Sequence, residues 1–320
     1  EPKADVRAAA AEALNSIELA RTFYSVIETA FFGLSLGSVL ALVAVGLTIT
    51  FGVMGVINMA HGELMMLGAY TTYVVQLVMP EHINLSLLVA IPAAFLVAGS
   101  AGVVIERTII RFLYGRPLET LLATFGVSLV LRQLVRTVFT PNNRPVITPT
   151  WMSGSLQINE TFSLTYNRLY IVLISLAVFA VLLAVLKHTR VGLDIRAVSQ
   201  NRLMARALGV RSQWVDAMTF GLGSGIAGVA GVALSQITNV GPNLGQSYII
   251  DCFMVVVFGG VGNIWGTLIG GMSLGIVTKV LEPFAGAVLG KVFVLVAVIL
   301  FIQRRPKGLF PQTGRAAEGV

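Results

Sequence analysis

The sequence predicts an all-α fold: a polytopic transmembrane bundle of about eight to ten helices, some of them broken by glycine. Three observations support this prediction. Hydrophobic residues make up 56% of the 320 residues and charged residues only 12%, whereas an average soluble domain carries about 25% charged residues. The mean hydropathy is +0.84. Apolar runs also recur at the length of about 20 residues that crosses a bilayer, and a soluble protein could not cover this much apolar surface.

Nine apolar runs are long enough to be spans. They are predicted at 23–51, 63–79, 85–105, 119–139, 168–186, 214–236, 249–261, 264–281 and 284–302. The runs between 249 and 281 are short and contain several glycines, so eight or ten spans are alternatives. A membrane domain therefore covers residues 23–303. Residues 1–22 mix alanine with charged residues, which indicates an amphipathic helical segment before the first span.

Basic residues are concentrated in three segments between or after the spans. These are the loop with Arg107, Arg111 and Arg116, the loop 187–213, and the tail 304–320. Lys and Arg concentrate in cytoplasmic loops, so all three segments are predicted to be cytoplasmic. Segment 1–22 is then predicted to lie outside the cytoplasm. The same clustering explains the formal net charge of +7 without a nucleic-acid partner.

Catalytic and metal-binding chemistry is not indicated. The single cysteine, Cys252, lies in an apolar run, and the three histidines have no metal-ligand spacing. An intramembrane hydrolase needs a nucleophile with a base, or paired aspartates, in adjacent spans. Asp216 and Asp251 are predicted near opposite faces of the membrane, each at a helix start. We therefore predict no enzymatic activity, no metal and no cofactor bound by this chain.

Two segments combine glycine with polar residues at membrane depth. The first, 51–63, contains Asn58, His61 and Glu63, and the second, 257–266, contains Asn263. Irregular polar backbone is tolerated in a bilayer where it lines a cavity or is buried in protein, and broken helices in two halves of a transporter indicate a substrate path. We predict that these four side chains line such a path. The alternative is that the glycines only allow helices to pack closely.

Other features predict packing or pairing within the bundle. Five glycines between Gly221 and Gly231 are spaced for close helix contact, with a pore-lining role as the alternative. Lys279 and Glu282 are one turn apart and are predicted to pair. Lys291 is predicted either to pair with Glu282 or to extend towards the membrane surface.

The loop 187–213 contains a candidate docking helix. Residues 194–208 form an amphipathic pattern that Gly209 is well placed to end. Apolar side chains rimmed by basic residues suit a groove on a partner protein; a helix lying on anionic lipid is the alternative. The residues predicted to transmit movement are Asp194, Arg196, Leu203, Ala205 and Gly209.

This helix with Gly209 resembles the coupling helix of ATP-binding-cassette (ABC) importer permeases, in the form found in the branched-chain amino acid permease family. The two glycine-rich segments are similar to that family as well. Five further stretches are similar to its urea-type permease subunit. They are 58–70, 149–154, 165–170, 239–248 and 301–310.

The resemblance implies a multi-pass permease of the bacterial inner (plasma) membrane that works within a larger assembly. Its partners would be a second homologous permease, two cytoplasmic ATPase subunits and a periplasmic or extracellular solute-binding protein, with membrane lipid around it. The chain has no P-loop pattern, so the ATP would be hydrolysed by the partner subunits.

The cargo implied by the urea-type resemblance is urea. The alternative is a branched-chain or other amino acid, whose opposite charges would need complements along the path. The spans are poor in charge at the sequence level, which favours a neutral solute. A stand-alone channel or secondary transporter is a third alternative, but it would require intramembrane ion sites that the sequence does not indicate.

Overall fold

The computed structural model describes residues 2–159 and 162–310, and it confirms an all-α bundle. The helices are α1 (Pro2–Met54), α2 (His61–Val78), α3 (Ile83–Thr108), α4 (Pro117–Phe139), α5 (Tyr166–His188), α6 (Arg190–Gln200), α7 (Arg202–Ala207), α8 (Ser212–Ser235), α9 (Leu244–Gly259) and α10 (Ile264–Arg304). One antiparallel hairpin, β1 (Ser155–Asn159) and β2 (Phe162–Thr165), lies in the loop before α5. Of the predicted tail, residues 311–320 lie outside the described residues.

Six of the described helices are long and apolar enough to cross a membrane: α1, α3, α4, α5, α8 and α10. Helix α9 is apolar but has only 16 residues. Helix α2 is more polar than these six helices. Its polar side chains Glu63, Thr72 and Gln76 are tolerated because they are buried against protein. Both shorter helices occupy positions where the sequence predicts spans.

Helix α10 consists of two antiparallel arms. A straight helix of 41 residues would be about 60 Å long, twice the hydrocarbon thickness of about 30 Å. The backbone leaves helical geometry at Gly286, with φ 77° and ψ 162°. A Cβ atom at Gly290 would lie 3.8 Å from Leu281, and Asn263 at the start of α10 bonds to Phe310 beyond its end. The two arms therefore correspond to the predicted spans 264–281 and 284–302.

Helix α8 forms the centre of the bundle through contacts that leave no room for side chains. A Cβ atom at Gly223 would lie 2.6 Å from the Gly46 carbonyl oxygen of α1, and one at Gly228 would lie 2.6 Å from the Ala94 carbonyl oxygen of α3. Gly68 of α2 packs against Gly228 in the same way. The predicted role of this glycine series in helix packing is confirmed, because the backbones themselves form the interface.

The first helix is longer than the predicted span. Segment 1–22 was predicted to be an amphipathic helical segment before that span, and α1 runs without interruption from Pro2 to Met54. Residues 6–22 are exposed and extend from the bundle, while residues 38–50 are buried within it. No proline separates the two parts, so helical geometry continues from the apolar span into the charged segment.

The connecting segments gather at two ends of the bundle. At the first, which we call the basic end, Arg202 donates to the Tyr114 hydroxyl across 2.8 Å and the predicted basic loops meet. At the other, the hairpin end, the Trp151 indole donates to the Asn84 carbonyl across 2.9 Å. The pattern agrees with the predicted grouping of basic loops on one side; that this side is cytoplasmic stays a prediction.

Replacing Gly68 by alanine tests the close packing of α8. The added methyl group has no space against the Gly228 backbone, so overpacking should cost about 1–3 kcal/mol of stability. We expect a lower thermal unfolding midpoint for the purified protein in detergent. Gly126→Ala is the matched control, because nothing lies within 4 Å of a Cβ atom there and alanine is the better helix former. Equal midpoints for the two variants would contradict the packing argument.

Candidate functional site

The predicted irregular segment between the first two spans is present and is held by α4. Helix α1 ends at Met54. The next residue, Gly55, has a φ of 66°, which favours glycine, and helical geometry resumes at His61. The Thr124 hydroxyl accepts from the Met59 amide at 3.1 Å; it lies 3.4 Å from the Ile57 carbonyl and 3.0 Å from the Leu121 carbonyl, its closer acceptor. The bond to Met59 satisfies a backbone group that lipid could not, so α4 stabilises the break between α1 and α2.

Asn58 and His61 are enclosed by protein. Both are 0% exposed. The Asn58 side-chain oxygen accepts from the Ala60 amide at 3.0 Å, and His61 Nε2 donates to the Val43 carbonyl at 3.0 Å. Among the described residues, Asn58 Nδ2 and His61 Nδ1 have no hydrogen-bond partner. Both residues stabilise the turn from α1 to α2 through their bonds to Ala60 and Val43.

Glu63, in the first turn of α2, has a charged partner. Its carboxylate accepts from the Ser128 hydroxyl at 3.1 Å and lies 3.5 Å from Arg132 Nη2. The side chains of Glu63 and Arg132 are only 2% and 14% exposed. Arg132 also bonds to the Gln246 side chain. The pair joins α2, α4 and α9, and a carboxylate near a helix N-terminus is stabilised by the helix dipole.

A cavity of about 90 Å³ opens beside this pair, between α2, α4 and α9. Glu63, Arg132, Ser128 and Gln246 supply its polar atoms, and apolar residues supply the rest of the wall. We call it the Glu63 cavity. Its lining is Met59, Glu63, Phe125, Ser128, Arg132, Gly245, Gln246, Ile249 and Ile250. It can offer both charges and several hydrogen-bonding groups to a small polar solute.

Arg132 is the residue that sequence reasoning missed. It lies inside the predicted span 119–139, four residues before Arg136, and arginines within a span indicate a functional face. Arg136 bonds to Asn243 at 2.9 Å on the same side of α4. The expectation that the spans are poor in charge is therefore wrong at this cavity, and it no longer favours a neutral solute.

Asn263 lies elsewhere and has a capping role. Its side-chain oxygen accepts from the Gly266 amide at 3.0 Å, and its nitrogen donates to the Phe310 carbonyl at 3.3 Å. It borders a different cavity, of about 420 Å³, at the basic end. The four predicted path residues are thus not one cluster: only Glu63 lines the Glu63 cavity. The two glycine-rich segments do meet, since a Cβ atom at Gly52 would lie 3.3 Å from Gly262.

The predicted coupling helix is two helices. The backbone of Asn201 is extended, with φ −156° and ψ 98°, and its side chain accepts from the Met204 amide at 2.9 Å. Asparagine favours such a cap over a helix interior, so the single helix over 194–208 is wrong at this position. Gly209 ends the second helix with a φ of 90°, as the sequence predicts.

The apolar side chains of α6 and α7 point two ways. Ile195, Val198 and Ala205 are buried against the bundle. Leu203 and Leu208 are 78% and 79% exposed, beyond the membrane-spanning helices. Of the remaining predicted coupling residues, Arg196 is exposed and Asp194 is half-buried. The outward leucines form an apolar surface at the basic end that nothing in the described chain covers.

Helix α7 is anchored to the bundle through Arg202. Its guanidinium forms an ion pair with Asp216 at the start of α8 and lies 4.0 Å from the centre of the Tyr114 ring. The side chains of Arg202 and Asp216 are 16% and 6% exposed. The helix dipole was the predicted partner of Asp216, but the structure adds Arg202 as a direct one. The ion pair therefore joins α7 to the first turn of α8.

The other ionisable residues pair at the hairpin of α10. Lys279 bonds to Glu282 as predicted. Lys291 bonds to Asp251 of α9 at 2.8 Å, so the predicted pairing with Glu282 is wrong, because the reversal at Gly286 brings Lys291 beside α9. Within residues 2–159 and 162–310, no group of three His, Cys, Asp or Glu side chains is arranged to hold a metal.

Comparison with known proteins gives matches over most of the chain. Residues 29–303 match the family described as branched-chain amino acid transport system / permease component. The chain is 32% identical to the high-affinity branched-chain amino acid transport system permease protein LivH of Escherichia coli, over 91% of this chain and 97% of that protein. It is 30% identical to the corresponding protein BraD of Pseudomonas aeruginosa, over 87% and 93%.

A more distant similarity extends to sugar transport. The ribose import permease protein RbsC of Escherichia coli is 28% identical over 82% of this chain and 80% of its own length. No solved structure matches the chain.

Removing Arg132 tests the buried pair. In Arg132→Gln the Glu63 carboxylate stays buried without its cation, which should cost about 3 kcal/mol of stability. The double variant Glu63→Gln with Arg132→Gln removes both charges and should recover most of that loss. Thermal unfolding of the purified variants in detergent measures both effects.

Arg136→Gln is the control for this comparison, because Arg136 bonds to the neutral Asn243. Its expected loss is below about 1 kcal/mol. If the double variant is no more stable than Arg132→Gln, the two side chains do not act as a pair.

Proposed function

The chain belongs to the branched-chain amino acid transport system / permease component family, and from this membership we propose that it carries a small nitrogen-containing nutrient through an ABC importer of the bacterial inner membrane. The observation that carries the proposal is the arrangement at the basic end: α7 presents exposed leucines outward while Arg202 links it to α8. Because these leucines lie beyond the membrane-spanning helices, we propose that a partner protein covers them. The basic end is proposed to face the cytoplasm, and the N-terminus the outside.

The proposed partners are inferred from the missing P-loop and from the surfaces that this chain exposes. Without a P-loop in its sequence, it needs ATPase subunits, and we propose two of them, one docked on Leu203, Met204 and Leu208. A second homologous permease would complete the path beside the Glu63 cavity, where Arg132 and Arg136 make α4 unsuited to lipid. A solute-binding protein outside the cell would deliver the cargo to the hairpin end.

The proposed mechanism transmits ATPase movement through α8. Closure of the ATPase subunits displaces α7, and the Arg202–Asp216 pair passes the displacement to the first turn of α8. Helix α8 contacts α1, α2 and α3 through backbone atoms, so it moves as a rigid element. Helix α4 contacts α2 and α9 through polar groups, so it can shift against this rigid element, which would open the Glu63 cavity to one side and close it to the other. ATP is hydrolysed by the partners.

A branched-chain amino acid is the first candidate cargo. The two relatives LivH and BraD are named for transport of that class. The Glu63 cavity adds a physical argument, because Arg132 can bind a carboxylate and Glu63 an ammonium group when the pair opens. Apolar neighbours such as Ile249 and Phe125 line the same cavity and would contact an aliphatic side chain.

Urea is the second candidate, and a specific observation favours it. Two of the stretches that resemble the urea-type subunit, 58–70 and 239–248, form facing walls of the Glu63 cavity, where Gly62 contacts Gly245. The amide of Gln246 and the carboxylate of Glu63 offer the hydrogen bonds that urea needs. Urea lacks a charge, so it would enter without separating the Glu63–Arg132 pair.

Uptake measurements distinguish the two cargoes. Cells that express the complete importer should take up the true cargo only when this chain and ATP are present. Radiolabelled leucine and urea are the two probes, and deletion of this chain is the control. Uptake of leucine alone supports the first candidate, and uptake of urea alone supports the second. If neither solute depends on the chain, both cargo proposals are wrong.

Leu203→Asp tests the docking surface. A carboxylate on an apolar knob that is 78% exposed should leave the fold intact but weaken the ATPase contact by about 2 kcal/mol or more. We expect at least a tenfold loss of cargo-stimulated transport at normal membrane abundance. Leu203→Met keeps an apolar side chain and should retain transport. Unchanged uptake by Leu203→Asp would remove α7 from the coupling route.

A further inference from the structure

The larger cavity, of about 420 Å³, is a groove at the basic end between α1, α5 and α10. Its walls are mostly apolar: Thr48, Ile49 and Val53 come from α1, Leu183 and Leu186 from α5, and Ile264 and Trp265 from α10. Lys187, Arg196 and Ser199 border it where α6 crosses the helix ends. It shares no lining residue with the Glu63 cavity. We call it the Trp265 groove.

Both cations of the Trp265 groove are available to a ligand. Both residues are exposed, and within the part of the chain that the structure describes neither the Lys187 ammonium nor the Arg196 guanidinium has a hydrogen bond or an ion pair. The only charged groups lining the groove are these two cations. Two positive side chains above an apolar slot complement a molecule with an anionic head and a hydrocarbon tail.

The position of the groove agrees with the level of lipid headgroups. Helix α5 ends at His188 and α10 begins at Ile264, so the groove lies where apolar helices meet the polar loops. Trp265 is 53% exposed and makes an edge contact with Phe179 at 5.4 Å between ring centres. Tryptophan at the end of a membrane-spanning helix is typical of the membrane–water interface.

We propose that the Trp265 groove binds one anionic phospholipid of the bilayer leaflet at the basic end. The side chains of Lys187 and Arg196 contact its phosphate, and an acyl chain lies along Ile49, Leu183 and Trp265. A polar nutrient does not suit walls of this kind. Basic pockets between membrane helices at the cytoplasmic side bind anionic headgroups, and here the adjoining slot also accepts the tail.

The bound lipid would stabilise the coupling region. Helix α6 packs on the bundle through Ile195 and Val198, which are 5% and 3% exposed, and Arg196 lies between them. A phosphate that contacts both Arg196 and Lys187 ties α6 to the end of α5. Helix α6 in turn leads into α7 through the Asn201 cap, so the lipid holds the base of the docking surface in place.

Trp265 provides a direct test. The full chain with Trp151→Phe and Trp214→Phe keeps Trp265 as its single tryptophan. This protein is placed in phosphatidylcholine vesicles that contain a small fraction of either phosphatidylglycerol or phosphatidylcholine with brominated acyl chains, which quench tryptophan on contact. We expect brominated phosphatidylglycerol to quench Trp265 with about 25-fold higher apparent affinity than brominated phosphatidylcholine, since each of the two cations contributes about fivefold.

A charge-matched pair of variants separates the site from general attraction to the membrane. Lys187→Gln with Arg196→Gln should abolish the preference for phosphatidylglycerol. Arg304→Gln with Arg305→Gln removes the same charge at the same end, outside the groove, and should retain it. Equal quenching by the two lipids in the unaltered groove would overturn the proposal, as would a preference that survives Lys187→Gln with Arg196→Gln.

Inorganic phosphate distinguishes a lipid site from a phosphate site. At millimolar concentration it should leave the quenching unchanged, because it has no acyl chain to hold it in the groove. Loss of quenching on adding phosphate would show that the headgroup contacts alone define the ligand, and it would overturn the lipid proposal. This comparison uses the protein that retains Lys187 and Arg196, so its outcome does not depend on the folding of the charge variants.

Discussion

The close approach of α8 to α1, α2 and α3 is the constraint on which the rest of the structure depends. Lipid offers no hydrophobic force between helices, so they associate through packing and hydrogen bonds. At Gly46, Gly68 and Gly228 the backbones meet with no space for a Cβ atom. This fixes the depth of α2 against α8, and with it the depth of the break that precedes α2 and of the Glu63 carboxylate that follows it.

The polar groups inside the bundle are tolerated because protein replaces water around them. Thr124 contacts the backbone within the break, at residues 57 and 59, and Arg132 with Ser128 contacts Glu63. Both sets of partners come from α4, whose only buried apolar side chain among the described residues is Val135. Helix α4 is thus retained in the bundle by polar contacts, and such contacts can exchange between two arrangements more readily than interlocked glycines.

Hydropathy predicted the positions of the spans, including the separation of 264–281 from 284–302, and glycine predicted the break before α2, because both signals are local. The Glu63–Arg132 pair was not predictable in this way, since its partners are 69 residues apart in the sequence. The break at Asn201 was missed for a different reason: the amphipathic pattern continues across it, and only the cap on Met204 reveals two helices. The grouping of Asn263 with Glu63 failed because similar motifs need not share a cavity.

The separation of the two cavities has a mechanical consequence. At the Glu63 cavity α4 meets α2 and α9 through polar contacts. The Trp265 groove lies between α1, α5 and α10, of which α1 and α10 interlock through Gly37, Gly271 and Gly275. Moving two helices that are packed through backbone atoms costs much free energy, because all of their close backbone contacts must be broken at the same time. A structural ligand in the Trp265 groove therefore occupies the rigid side of the bundle, and the solute path belongs on the α4 side, where helix positions can change.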